Sequence, residues 1–148
     1  MKDIKTLCRD IHQNATEHGF YDDEHDIASI IALSFENSDT KNKLQTALAD
    51  MAITQKIALI HSELSEALEA HRQRRYGDRY TLEELTEQCG FRTALFEKYV
   101  KDTVGDELAD AVIRIFDLSS ELHIDIEKHI HLKMKYNQTR PYKHNKAY

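Results

Sequence analysis

Two stretches of the chain, SELSEALEAHR at residues 62–72 and DELADAVIRIF at residues 106–116, carry the same word: acid, leucine, small residue, acid, alanine, aliphatic. Read at about 100° per residue, Glu63 and Glu66 stand about 60° apart on one helix, and Glu107 and Asp110 do the same on another. Each pair borders an apolar sector, made of Ile60, Leu64, Ala67 and Leu68 in the first case and Val104, Leu108, Ala111 and Val112 in the second. Amphipathic helices are stabilised mainly by burying such stripes. If these two bury theirs against each other, all the acids of both words arrive along one edge of a shared core.

The rest of the chain is suited to helices and poor in anything else. Across 148 residues there are only 4 Gly and 1 Pro, too few for a turn-rich β architecture. Apolar residues recur at three- and four-residue spacing through Ile4, Leu7, Cys8, Ile11 and Ala15, which predicts a helix over about 3–18 stopped before Gly19. HGFYDDEHD (18–26) reads as a loop, followed by a short helix on Ile27, Ile30, Ile31 and Phe35 and a break over the polar run ENSDTKN at 36–42. Leu44, Leu48 and Met51 lead into Ile57, Ile60, Leu64 and Leu68 with a drift of phase near Ile53, so the pattern fits either one long helix or two, ending near Gly77. Thr81 and Glu84 have capping-box spacing for a short helix to about Gln88, with Gly90 as a stop. Further helices are expected over 91–101 and about 104–122, and a last one is capped by Asp125 and ends before Pro141. The expectation is an all-α fold in a single domain spanning 1–148.

Composition narrows the function classes. No apolar run approaches the roughly 18 residues that would cross a bilayer, and MKDIKTLCRD has no apolar segment behind it, so a cytoplasmic protein with no membrane partner is expected. Cys8 and Cys89 lack metal-binding spacing and read as reduced core residues. The net charge is -6, and residues 128–148 hold six of the 20 Lys and Arg but no acid, leaving 14 cations against 26 acids in residues 1–127. Such an acidic body repels a phosphate backbone, which argues against a nucleic-acid polymer as partner.

Carboxylates held within several ångströms of one another repel strongly wherever water is partly excluded, and they must then be protonated or neutralised. Hard divalent cations suit an all-oxygen set, and Mg²⁺, with Mn²⁺ as its equivalent, completes its shell with water and substrate phosphates. A single Glu-x-x-Glu is more often a solvated helix face. Two matched pairs point instead to a shared metal site.

Glu63-x-x-Glu66 followed by Glu107-x-x-Asp110 resembles the E-x-x-E and E-x-x-D signature of the MazG-like, all-α nucleoside triphosphate pyrophosphohydrolases. Further blocks agree: IHQNATEHGF (11–20), KIALIHSELSEALEAHR (56–72), DELADAVIRIFDL (106–118) and KMKYNQTRPYKH (133–144). The segment from about Asp26 to Met51 and the spacing between the acid pairs are longer than in that family. The resemblance implies a MazG-like helical bundle completed by dimerisation, as a homodimer or a tetramer. It implies Mg²⁺ held by Glu63, Glu66, Glu107 and Asp110, and hydrolysis of a nucleoside triphosphate between the α and β phosphates, releasing monophosphate and pyrophosphate. Glu63 and Glu66 are the two candidates for the base that activates water.

Substrate-binding candidates fall in the flanking blocks. Lys133, Asn137 and Arg140 share one helix face, with Lys143 and His144 just beyond Pro141, and Arg140 has the geometry to grip phosphate bidentately. His12, Asn14, Phe20 and Tyr21 offer the amide and aromatic groups a nucleobase pocket uses, although Phe20 also reads as core. Arg114, one turn past Asp110, is expected to form an internal ion pair with Glu107, Asp110 or Asp117. His61 reads as structural or as a donor to a metal ligand, and His129 and His131 point to different faces. Two other classes compete. A ferritin-like di-iron site needs Glu-x-x-His, which neither acid pair has, and a non-catalytic helical nucleotide-binding or dimerisation module has no use for acids beside its core.

Overall fold

The structure, a computed structural model, describes residues 2–77, 82, 85 and 91–141. Among them the chain is all-α, as expected, with six helices and no strand: α1 (Ile4–Glu17), α2 (Asp22–Ser34), α3 (Ser38–Arg72), α4 (Thr93–Tyr99), α5 (Val104–Glu121) and α6 (Ile126–Gln138). No helix among the described residues is long and apolar enough to cross a membrane. Leu82 and Leu85 are helical, but the capping box at Thr81 and Glu84, the stop at Gly90 and Cys89 lie outside the described residues.

Helix starts follow local chemistry. Asp3, Asn37, Thr103 and Asp125 each accept a hydrogen bond from a backbone N–H in the first turn of α1, α3, α5 and α6, satisfying groups that have no partner inside the helix. Three expected boundaries are corrected. The loop over 18–26 shrinks to 18–21, because Asp22, Asp23 and Glu24 occupy the first turn of α2, where acids favour the positive end of the helix dipole. The break at 36–42 shrinks to 35–37, since Asn37 accepts from the amides of Asp39 and Thr40 and starts α3 at once. The long pattern is one uninterrupted helix of 35 residues, about 50 Å, and it ends at Arg72 rather than near Gly77. Gly19 sits at φ +78 in the tight turn between α1 and α2, where an added Cβ would lie 2.9 Å from the Asp22 carboxylate.

The N-terminal half of α3 packs on α2, and its C-terminal half packs on α5. Its apolar stripe drifts near Ile53 because the helix changes partner there. Lys56 marks the change, pairing with Glu24 of α2 at 2.7 Å and with Glu121 of α5 at 2.8 Å. Contacts from Lys56 to Glu121, Glu63 to Arg114 and Arg75 to Val104 make α3 and α5 antiparallel, and α1 lies against α5 with α6 beyond it.

The seam between α3 and α5 differs from the expected one. Its buried residues are Ala67, Ala70 and Ala111 together with Glu63 and Glu107, whereas Leu64, Leu68, Leu108 and Val112 are between 44% and 49% exposed. Small side chains let the two backbones approach closely, and that turns the leucines outward. In an antiparallel pair, equal angular offsets from the line of contact fall on the same side. Ile57, Leu64 and Leu68, and Leu108, Val112 and Ile115, all stand about 80–140° from Glu63 or Glu107 in the same sense, so they form one open apolar face, opposite the side that α1 covers.

Candidate metal centre

Glu63 and Glu107 are each only 6% exposed. One carboxylate oxygen from each of Glu63, Glu107 and Asp110 lies within 4.8 Å of the others, the spacing of ligands around one cation. Burial, followed by repulsion from Glu66 and Glu63, holds the Glu107 carboxyl above its ordinary range. Asp110 is raised by burial, then by Asp106 and Glu63, with Arg114 opposing. Glu66 is exposed beside this group and accepts one hydrogen bond, from the Ser62 hydroxyl at 3.1 Å.

Among the described residues Arg114 is the one cation paired within the cluster, and its Nε donates to Glu63 Oε1 at 2.6 Å. The expected internal ion pair therefore forms across the seam, to Glu63, rather than to Glu107, Asp110 or Asp117. One guanidinium against the carboxylates of Glu63, Glu66, Glu107 and Asp110 leaves an excess of negative charge where water is partly excluded. Hard oxygen donors, their spacing, and the raised protonation of two of them all fit a divalent cation.

Beside Asp110 a cavity of about 430 Å³ opens between α1 and α5, lined by Asn14, Phe20, Ile113, Arg114 and Asp117 among others. Two of the expected substrate-binding residues, Asn14 and Phe20, thus share a cavity with Asp110, and Phe20 is no core residue, being 73% exposed. His12 is placed differently: its Nδ1 lies 2.7 Å from Asp117 Oδ1 and 3.2 Å from the Tyr21 hydroxyl.

Of the tail candidates, the described ones, Lys133, Asn137 and Arg140, are not brought to the cluster within one chain. Glu127 lies close enough to Cys8 to act on its thiol, while Leu132 and Lys135 share a surface hollow with Lys5. Numbering therefore rises along α6 as it falls along α1, and α6 leads away from the end of α1 that faces Asp110. Lys133 and Asn137 are exposed, Arg140 sits 6.0 Å from the Tyr136 ring, and Lys143 and His144 lie outside the described residues. His61, His129 and His131 are exposed, and His131 faces Glu127 at 4.0 Å.

Sequence reasoning missed a second polar cluster. Tyr21 is buried and donates to Asp117 at 2.8 Å, and its ring lies 4.1 Å from the Lys56 ammonium that bridges Glu24 and Glu121. Burial, then the bond to Asp117, pushes the Tyr21 hydroxyl far above its ordinary pKa. One signal was present: Asp117 stands seven residues past Asp110, on the same face of α5. Compared with models of known protein families, with curated proteins and with solved structures, the chain matches none.

Proposed function

We propose that this protein is a Mg²⁺-dependent nucleoside triphosphate pyrophosphohydrolase of the MazG-like kind, cleaving between the α and β phosphates. The observation that carries the reading is the cluster of Glu63, Glu107 and Asp110 within 4.8 Å, short of positive charge and open to a cavity large enough for a nucleoside. Mg²⁺ held by these residues supplies neutralisation of the triphosphate and acidification of the attacking water. The chain's own groups do the rest. Glu63 is held by Arg114 and orients the cluster, while Glu66, exposed and bonded only to Ser62 among the described residues, is the group that would take a proton. Asn14 and Phe20 wall the space beside Asp110 in which base and sugar would lie.

The open face of Ile57, Leu64, Leu68, Leu108, Val112 and Ile115 supports a homodimer in which two such helix pairs complete one bundle. Sedimentation at micromolar concentration tests this part, and a strictly monomeric chain would refute it. The catalytic reading is tested by incubating a panel of ribo- and deoxynucleoside triphosphates with Mg²⁺ and separating the products. Monophosphate plus pyrophosphate is expected, lost with excess chelator and regained with Mn²⁺. Diphosphate plus orthophosphate would exclude α,β cleavage, and no turnover with any nucleotide would leave a non-catalytic nucleotide-binding or dimerisation module.

A further inference from the structure

Asp117 lines the same cavity as Asp110, but its carboxylate is held in a way that Asp110's is not. Both groups that reach it meet one oxygen. The Tyr21 hydroxyl donates to Oδ1 at 2.8 Å, and His12 Nδ1 lies 2.7 Å from that same atom. Oδ2 makes no hydrogen bond among the described residues. The two groups on Oδ1 are themselves fixed: Tyr21 is 5% exposed, lies under Lys56, and meets the His12 ring edge-on at 5.0 Å between centroids. A carboxylate clamped through one oxygen, with the other unbonded on a residue that lines a cavity, is an acceptor whose position is set before any ligand arrives.

Its distance from the acid cluster indicates what it meets. Asp117 is seven residues beyond Asp110, two turns or about 10 Å along α5, which matches the separation between a nucleotide's phosphates and the far edge of its base. The cavity wall carries Ile11, Ala15, Phe20 and Ile113, suited to a flat ring, beside the polar side chains of Asn14 and Asp10, the latter engaged by Lys2 and Arg9. Arg114, the cation of that wall, is committed to Glu63. An unpaired carboxylate oxygen at the base edge rewards an N–H donor. Against a carbonyl it leaves two acceptors facing each other without a partner.

We infer that Asp117 determines base specificity: its free oxygen accepts from the exocyclic amino group at position 4 of cytosine or position 6 of adenine and so selects these bases over uracil and thymine, which carry a carbonyl at position 4. This rests on the nucleotide reading above and names the substrate class within it. Asp117→Asn offers a sharp test, because the amide oxygen can keep the bonds to Tyr21 and His12 while Nδ2 takes the place of Oδ2. The acceptor becomes a donor with no change of shape.

In the full-length protein with excess Mg²⁺, kcat/KM for dCTP is expected to exceed that for dUTP by about tenfold or more, and Asp117→Asn is expected to reverse the order. Calorimetry with cytidine and uridine in the absence of metal should give the same order and the same reversal without relying on hydrolysis. Tyr21→Phe, which loosens the clamp but leaves Oδ2 an acceptor, should shrink the ratio without reversing it. A folded Asp117→Asn protein whose cytosine-to-uracil ratio stays within about twofold of the wild type would overturn the inference, as would a wild type that does not discriminate. Should Asp117→Asn fail to fold, the wild-type nucleoside order and the Tyr21→Phe ratio decide. Hydrolysis without discrimination sinks this inference and leaves the catalytic reading standing. Cytidine-selective binding without hydrolysis does the reverse.

Discussion

Two acidic regions, one partly buried and one with its central acids buried, lie along the same face of α5, about three turns apart, and their acids are partnered differently. Around Lys56, the acids Glu24 and Glu121 share one ammonium, and one oxygen of Asp117 is held by Tyr21 and His12. Burial would push the Lys56 pKa down, but its two carboxylate partners outweigh that and hold it above its ordinary value. Around Glu107, the acids outnumber the cation, and two of them are raised toward the protonated form. Each acid of the first region has a partner within the chain, whereas the side chains of Glu107 and Asp110 have none among the described residues. The contrast distinguishes a polar cluster that holds the fold together from one that the fold holds in readiness, and it yields opposite expectations for the same kind of substitution.

The largest expected difference is in turnover. Asp110→Asn or Glu66→Gln should lower the rate of pyrophosphate release by about 10²- to 10⁴-fold, while thermal unfolding in chelator stays level or moves upward because each removes a repelling charge. Lys56→Met should do the converse. It leaves Glu24 and Glu121 facing each other in a partly buried position, at a cost of about 1–3 kcal/mol after allowing for their partial exposure, with much less effect on the chemistry per folded molecule. Urea titration beside initial rates checks both halves. Acid variants that unfold, or a Lys56 variant that does not, would erase the distinction between the regions.

Next in size is the pH dependence of the metal-free protein. A carboxyl whose folded pKa is raised opposes folding fully above that pKa and not at all below its unfolded value, near about 4. Wild-type stability from Glu107 and Asp110 is therefore lost as pH rises from that value through the raised ones. Asn at position 110 imitates the protonated side chain, so the Tm advantage of Asp110→Asn over wild type in chelator should grow with pH across this window. Saturating Mg²⁺ should remove or invert it. Melts of both proteins at several pH values, with chelator and with Mg²⁺, provide the check, and an advantage that shrinks with rising pH would contradict the assignment.

Which parts of this were legible in the sequence follows from how local the signals are. The limits of α5 and the Asp125 cap of α6 rest on residues within a few positions of each other, and both emerged within a residue of expectation. The Asn37 cap was equally local but was concealed in a polar run that reads as a break. Periodicity located the stripes of α3 and α5 without showing which residues sit at their centre. Leucine weighs more than alanine in any hydrophobic count, yet close approach is governed by the small residues Ala67, Ala70 and Ala111. The acids were recognised as neighbours of the seam when Glu63 and Glu107 are part of it. His12 and Asp117 are 105 residues apart, and no spacing rule joins them. Their meeting depends on α1 lying antiparallel to α5.

The smallest expected effect is at Arg140, where the charge pattern of the tail and the course of α6 lead to different answers. Six cations and no acid in residues 128–148 make an attractive phosphate grip. Within one chain, however, α6 leads Lys128, Lys133 and Lys135 away from Asp110, and Arg140 is left over the Tyr136 ring at 6.0 Å, a contact worth about 0.5–1 kcal/mol at an exposed site. Arg140→Ala should therefore change stability by no more than about 1 kcal/mol, and kcat/KM for the triphosphate by no more than about twofold, the remainder of a long-range field that salt screens. Rates at low and high ionic strength measure that remainder. A tenfold loss that persists in high salt would mean that the guanidinium touches phosphate after all. Because α6 leads away from its own cluster, a second copy would have to deliver it, and mixing Arg140→Ala with Asp110→Asn protein should then raise activity above that of either variant alone.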